Sequence, residues 1–151
     1  MPALLPRLAK ALEAAGAFAA EIEVVPAEVA KLMMDAGLIK ENEKGESYDR
    51  FRDRIMFPLF DQNGKVVAFS GRILSKDTEA PKYVNSPETE LYKKSELLFG
   101  YDKAKQGIRT FNFSLIVEGQ FDVVMAHQAG YSNTVAVSGT ALTLHHVQLL
   151  E

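Results

Sequence analysis

The sequence predicts an α+β chain: helices first, then a β-hairpin, then a small α/β unit with strand–helix–strand–helix order. Three observations predict it. Leu4, Leu5, Leu8, Leu12 and Phe18 recur near helical spacing at the start of the chain. Two apolar segments flank Asp61-Gln62-Asn63-Gly64, and Asn-Gly between such segments is a strong short hairpin signal. Two short apolar runs, Leu115–Val117 and Thr134–Val137, are each followed by a stretch with helical patterning.

The elements follow in order. Residues 2–20 are rich in Ala and Leu and predict a helix ending near Gly16. Pro26 suits the first position of a second helix over 27–36, closed by Gly37, with Val29, Leu32 and Met33 on its buried face. Glu41 to Ser47 is a polar turn. Arg50 to Arg54 alternates charge with bulk ahead of a strand through Phe60, in which Pro58 points to an edge or a bulge. Val66 to Ser70 returns, so residues 54–74 form a hairpin with Arg54 and Arg72 near its outer ends.

Lys76 to Glu90 is charged, carries Pro81 and Pro87, and reads as an irregular functional loop. Asp102 to Gly107 reads as a short helix. Leu115–Val117 reads as a buried parallel strand and Phe121 to Ala129 as a helix closed by Gly130. Thr134–Val137 is the second strand, Ser138-Gly139-Thr140 a turn and Leu142 to Leu150 a helix, giving a βαβα unit.

Composition narrows the function. The 151 residues suffice for one ordinary domain or two small ones. There is no cysteine, which excludes disulfides and thiolate metal sites, and with them a cysteine zinc module. His127, His145 and His146 form no familiar ligand spacing, and the His145-His146 pair reads as surface. No apolar run reaches membrane-span length and no secretory signal is visible, so cytoplasmic residence is expected.

The net charge of −3 is unevenly distributed. Residues 1–49 carry 5 Lys or Arg against 9 Asp or Glu, residues 50–109 carry 12 against 8, and residues 110–151 carry none against 3. The chain therefore divides into a helical segment (1–49), a basic hairpin and loop segment (50–109) and an acidic α/β segment (110–151). A basic surface near acids suits a polyanion whose phosphates require a cation, although a +4 balance also fits ordinary solvated charge.

The most informative passage is Leu115 to Val123. An apolar strand ends in Glu118, Gly119 lets the chain turn, and Asp122 falls in the first turn of the next helix. Open α/β sheets place ligands at the carboxyl ends of their strands. Two hard oxygen donors there suit Mg²⁺ or Mn²⁺. The same residues equally fit a strand-end acid and a helix-capping aspartate with no metal.

Five segments carry a resemblance: RDRIMFPLFDQNGKVVAFSG (52–71), PKYVNSPET (81–89), Leu98-Phe99-Gly100, VEGQFDV (117–123) and Ser138-Gly139-Thr140. Together they resemble the catalytic core of bacterial replicative DNA primases of the DnaG type, from about Ala36 to Leu150, with residues 1–30 left unaligned. VEGQFDV is similar to the first signature of the TOPRIM fold, which topoisomerases and some nucleases share; PKYVNSPET is more specific to primases. The resemblance implies a partial TOPRIM-like, Rossmann-like α/β unit and RNA primer synthesis on a single-stranded DNA template from ribonucleoside triphosphates. It implies Glu118 and Asp122 as catalytic, metal-holding acids, and Arg72, Lys82 and Lys94 as groove cations. It places Tyr83 and Asn85 beside the nucleotide, with Arg52 and Arg54 as further nucleic-acid candidates. It also implies a replicative helicase as partner of the longer family members, and residence at the bacterial nucleoid.

The family's later D-x-D pair is absent before Glu151, so the chain is expected to be a fragment with little activity alone. Two alternatives remain. One is a non-catalytic single-stranded nucleic-acid binding module. The other is a piece of another TOPRIM enzyme, a nuclease or topoisomerase, against which PKYVNSPET argues.

Overall fold

The structure, a computed structural model, describes residues 27–75 and 79–151. The helix expected over 2–20 and the helix-starting Pro26 lie outside the described residues. The chain falls into two compact units: residues up to Pro58 with Ala68–Pro87, and Leu59–Val67 with Glu88–Glu151. The α+β class is what the elements show.

The first described element of the first unit is helix α1 (Ala27–Asp35). The Leu38 amide donates to the Met33 carbonyl and the Gly37 amide to the Met34 carbonyl, both at 2.8 Å. This is the Schellman closure, which needs a left-handed residue at Gly37, where φ is 68°. A Cβ at Gly37 would also stand 2.2 Å from Cδ of Pro87, so no larger residue fits.

Strands β1 (Ile39–Glu41) and β2 (Ser47–Asp49) pair antiparallel. The sequence shows only the turn between them, because three-residue strands are too short to display alternation. Strands β3 (Arg54–Phe60) and β4 (Val66–Ile73) follow, and with β5 (Tyr83–Asn85) they form a sheet of order β3-β4-β5. Pro58 thus sits on the edge strand β3, the place in a sheet where a residue without an amide is tolerated.

The two hairpin loops have the same construction. Asn42 Oδ1 accepts the amides of Lys44 and Glu46, and Asp61 Oδ1 accepts those of Asn63 and Lys65. Gly45 and Gly64 take positive φ three residues after the acceptor. Asn63 does not, so the second loop is a three-residue turn with a glycine bulge rather than a two-residue Asn-Gly turn.

Strand β5 (Tyr83–Asn85) corrects the expectation of irregular structure over 76–90. It pairs antiparallel with β4, Ser70 opposite Asn85 and Arg72 opposite Tyr83. Buried Ser86 continues the pairing: its amide donates to the Phe69 carbonyl and its hydroxyl accepts the Phe69 amide.

The second unit contains a 3₁₀ turn (Lys94–Glu96), α2 (Tyr101–Phe111), β6 (Leu115–Val117), α3 (Gln120–Gln128), β7 (Thr134–Ala136) and α4 (Leu144–Leu150). The expected helix over 102–107 is longer because Gly107 is a packing site, not a stop. A Cβ there would lie 2.7 Å from the Ser132 carbonyl. Strands β6 and β7 are parallel, Val117 opposite Ala136. The far edge of β7 pairs with Phe99 through two Phe99–Ala136 bonds of 2.8 and 3.0 Å.

Flanked on both edges, β7 is buried throughout, and Val135 centres a core with Leu98 and Ala104. Strand β6 is not buried, contrary to the expectation from its apolar sequence. Leu115 and Ile116 are exposed, because β6 has a described partner on one edge only.

Candidate nucleic-acid and metal-binding residues

Glu118 follows directly on β6, exposed at the carboxyl end of the parallel pair. The Val137 amide donates to the Val117 carbonyl, so β7 runs alongside to the same end. There the chain reverses through Ser138 and Gly139 with φ of 54° and 84°. Positive φ is costly at a non-glycine residue such as Ser138. Its Oγ is buried without a described partner. Residue patterning did not single out Ser138 except as part of a turn.

Gly119 caps α3 in an extended conformation, φ −133°. This corrects the reading that a glycine is needed there for the turn, since any residue adopts that backbone. What glycine provides is clearance: a Cβ would approach Asp122 Oδ2 to 3.3 Å. Asp122 stands three residues into the helix and its Oδ2 accepts the Gly119 amide at 3.2 Å. It therefore satisfies one of the amides that a helix start leaves unpaired, and its charge suits the positive end of the helix dipole. Both acids are exposed. Among the described residues no three His, Asp or Glu gather as a metal cage.

Arg72, Lys82, Tyr83 and Asn85 all belong to the first unit. The Arg72 guanidinium lies 5.7 Å from the Tyr83 ring centre, across the β4–β5 ladder. Lys82 is exposed, while its carbonyl accepts the Ile73 amide at 3.0 Å. Asn85 leaves its side-chain Oδ1 buried without a described partner. Arg52 is exposed with its guanidinium 5.0 Å from the Tyr48 ring centre. Arg54 is engaged with backbone: Nη1 donates to the Gly71 and Pro81 carbonyls at 3.1 and 2.9 Å, with the Lys82 carbonyl at 3.4 Å.

Lys94 lies in the second unit with Glu118 and Asp122. Neighbouring Lys93 is ion-paired with Glu96 at 3.0 Å, whereas no ion pair engages Lys94 among the described residues. The Lys94 amide donates to Glu88 Oε1 at 2.9 Å and its carbonyl lies 3.2 Å from His146 Nε2. His146 is fully buried, which corrects its reading as a surface residue. The signal was out of reach locally, because the bonded residues are 52 positions apart. His145 lines a cavity of about 190 Å³ with Tyr101 and Leu149.

Comparison with known proteins identifies the family. A family model described as DNA primase catalytic core, N-terminal domain, matches residues 17–105. The chain belongs to the DNA primase family. A Toprim domain model matches residues 112–151. The family match thus starts upstream of Ala36, where the resemblance was expected to begin. A DNA primase of Deinococcus radiodurans is 51% identical over 122 residues, covering 80% of this chain and 21% of that protein. One from Escherichia coli K12 is 48% identical over 118 residues, covering 78% and 20%. The chain spans about a fifth of the length of these curated relatives.

Among solved structures, a DNA primase domain from Pseudomonas aeruginosa has a TM-score of 0.76 at 44% identity, over 83% of this chain and 39% of that one. A DnaG primase catalytic domain bound to ssDNA has a TM-score of 0.74 at 46% identity, over 83% and 40%. No helix among the described residues is long and apolar enough to cross a membrane.

Proposed function

We propose that this chain forms the template- and nucleotide-binding part of a DNA primase catalytic core, together with the first acids of its metal site. The observation that carries the proposal is Glu118 at the carboxyl end of the parallel β6–β7 pair, in a chain about half identical to DNA primases. Parallel sheets bind ligands at that end. The reaction is transfer of a ribonucleotide to a growing primer on single-stranded DNA, in the bacterial cytoplasm at the nucleoid, with a replicative helicase as partner.

Glu118 and Asp122 supply hard oxygen donors of the kind Mg²⁺ or Mn²⁺ takes, and such an ion usually keeps several waters beside one or two carboxylates. The donor set therefore fits part of a metal site. A bound ion would neutralise triphosphate charge and orient the reacting oxygens. Asp122 shares its Oδ2 with the Gly119 amide, so Glu118 is the principal ligand and Asp122 the auxiliary one.

Arg72, Lys82 and Lys94 contact phosphates of template and nucleotide, with Arg52 as an outlying contact. Tyr83 offers a ring face for a base and Asn85 an amide for a base edge or sugar. The ssDNA bound to the related catalytic domain supports this reading. Fluorescence anisotropy with a labelled single-stranded oligonucleotide tests it. The Arg72→Ala/Lys82→Ala/Lys94→Ala variant should bind at least tenfold more weakly in dilute salt, and the difference should shrink as salt rises, because each lost phosphate contact removes a counterion-release increment. Equal binding by the two chains, both folded, would remove the assignment.

A further inference from the structure

The 3₁₀ turn that carries Lys94 has little to hold it in place by itself. It is three residues long, buries none of them, and has no side-chain bond at its N-cap Lys93. The hydrogen-bond geometry of a 3₁₀ turn is poorer than that of an α-helix. Three hydrogen bonds from elsewhere in the same unit hold it. Glu88 Oε1 accepts the Lys94 amide at 2.9 Å. His146 Nε2 lies 3.2 Å from the Lys94 carbonyl, and Thr143 Oγ1 donates to the Ser95 carbonyl at 2.7 Å.

The two α4 residues are themselves locked together. The His146 amide donates to Thr143 Oγ1, and the Thr143 amide donates to His146 Nδ1, both at 3.2 Å. An amide can only donate, so Nδ1 accepts. A carbonyl can only accept, so Nε2 carries the hydrogen and donates to Lys94. The neighbours thus fix the imidazole tautomer. A fully buried imidazole is tolerated because both nitrogens are paired.

We propose that His146 and Thr143 are positioning residues, which with Glu88 clamp the peptide of Lys94 so that its ammonium is presented to a nucleic-acid phosphate. The inference rests on the phosphate-binding role proposed for Lys94 and adds the residues that make it effective. Lys94 is half-exposed and its backbone is anchored on both sides of its Cα. Fixing the root of a long side chain before binding lowers the ordering cost that binding otherwise incurs. None of the three clamping residues touches the phosphate.

The test uses the full chain and a labelled single-stranded oligonucleotide, titrated at several salt concentrations. Lys94→Ala should weaken binding and flatten the plot of log K against log salt by about 0.7, one single-strand phosphate contact. His146→Ala should weaken binding roughly two- to tenfold, the range set by the ordering of one side chain. His146→Gln keeps a donor near the Nε2 position and should recover most of that loss. In the Lys94→Ala background, His146→Ala should cause no further loss, since its effect runs through Lys94.

A separate loss of the same size in that background would overturn the clamp and leave Lys94's role intact. So would unchanged binding by His146→Ala beside a weakened Lys94→Ala. A silent Lys94→Ala would overturn both the phosphate contact and the clamp. If His146→Ala fails to fold, Thr143→Val replaces it, with Thr143→Ser as the variant that should retain wild-type affinity; unchanged binding by folded Thr143→Val would likewise overturn the clamp.

Discussion

Asp122 Oδ2 accepts the Gly119 amide at 3.2 Å, so the second acid of the EGQFD passage is a helix cap before it is anything else. The two acids are therefore not equivalent. Glu118 stands exposed at the strand end with no described hydrogen bond, and Asp122 is committed on one oxygen.

The first prediction separates them. Asp122→Ala should lower stability by roughly 0.5–1 kcal/mol, the usual value of an acid at the start of a helix. It should also weaken Mn²⁺ binding. Glu118→Gln should weaken Mn²⁺ binding further while leaving stability unchanged. Urea melts and Mn²⁺ titration followed by electron paramagnetic resonance measure the two effects. Unchanged Mn²⁺ affinity in Glu118→Gln would remove Glu118 from the metal site.

Arg54 provides the second. Its Nη1 ties the Gly71 and Pro81 carbonyls, so it holds the approach to Lys82 and Tyr83. Arg54→Met keeps the length and loses the donors. Two carbonyls lose a charged donor, part of the loss being made good by water, at a cost of roughly 1–2 kcal/mol. The urea midpoint should fall, while the salt slope of oligonucleotide binding should stay at the wild-type value. A flattened slope with unchanged stability would instead make Arg54 a phosphate contact.

The contrast between Arg54 and the hairpin loops shows what was legible in the sequence. Asp61 to Gly64 declares its loop because acceptor, amides and glycine lie within five residues. Asn42 to Gly45 has the same pattern, and only the shortness of its strands hid the hairpin. Strand β5 gave no signal, since three residues inside a charged stretch become a strand by pairing with β4. The apolar content of β6 suggests burial, but burial depends on what covers a strand, and Leu115 and Ile116 are exposed. Glu118 and Asp122 stand together in the sequence, but their spacing fits a metal pair and a helix cap alike, and only the Gly119 amide bond shows that Asp122 caps α3. The bonds of Arg54 and His146 are not legible in the sequence, because their partners are 17 to 52 residues away.

Tyr92 supplies a pH prediction. It is buried at 2% exposure, and burial first, with the Glu88 carboxylate second, pushes its hydroxyl up from 10.0 to about 12. The folded chain thus holds the proton more tightly than the unfolded chain. The stabilisation is complete below pH 10 and is lost as pH rises from 10 to about 12. The loss is on the order of 2 kcal/mol. Denaturation midpoints between pH 9 and 12, compared with Tyr92→Phe, should show a decline in the wild type that the variant lacks. A parallel decline in both would assign the alkaline instability to other groups.

The last prediction concerns catalysis. This 151-residue chain by itself should incorporate no ribonucleotide at a measurable rate. Nucleotidyl transfer requires ions that both align the attacking hydroxyl and neutralise the departing pyrophosphate. Those ions need fixed carboxylates for their position. Among the described residues no trio of ligating side chains comes together, and the two acids present flank one β6–α3 turn. One of them already spends an oxygen on capping. The exposed Leu115 and Ile116 also leave β6 without the cover that would hold the turn rigid. Fusing the following Toprim strands of a related DNA primase after Glu151, with the family's D-x-D pair, should supply both ligands and cover. Labelled ribonucleotide incorporation on a single-stranded template with Mn²⁺ should then appear, and Glu118→Gln in the fusion should abolish it. Clear Glu118-dependent synthesis by the unfused chain would show that two carboxylates on one turn are enough.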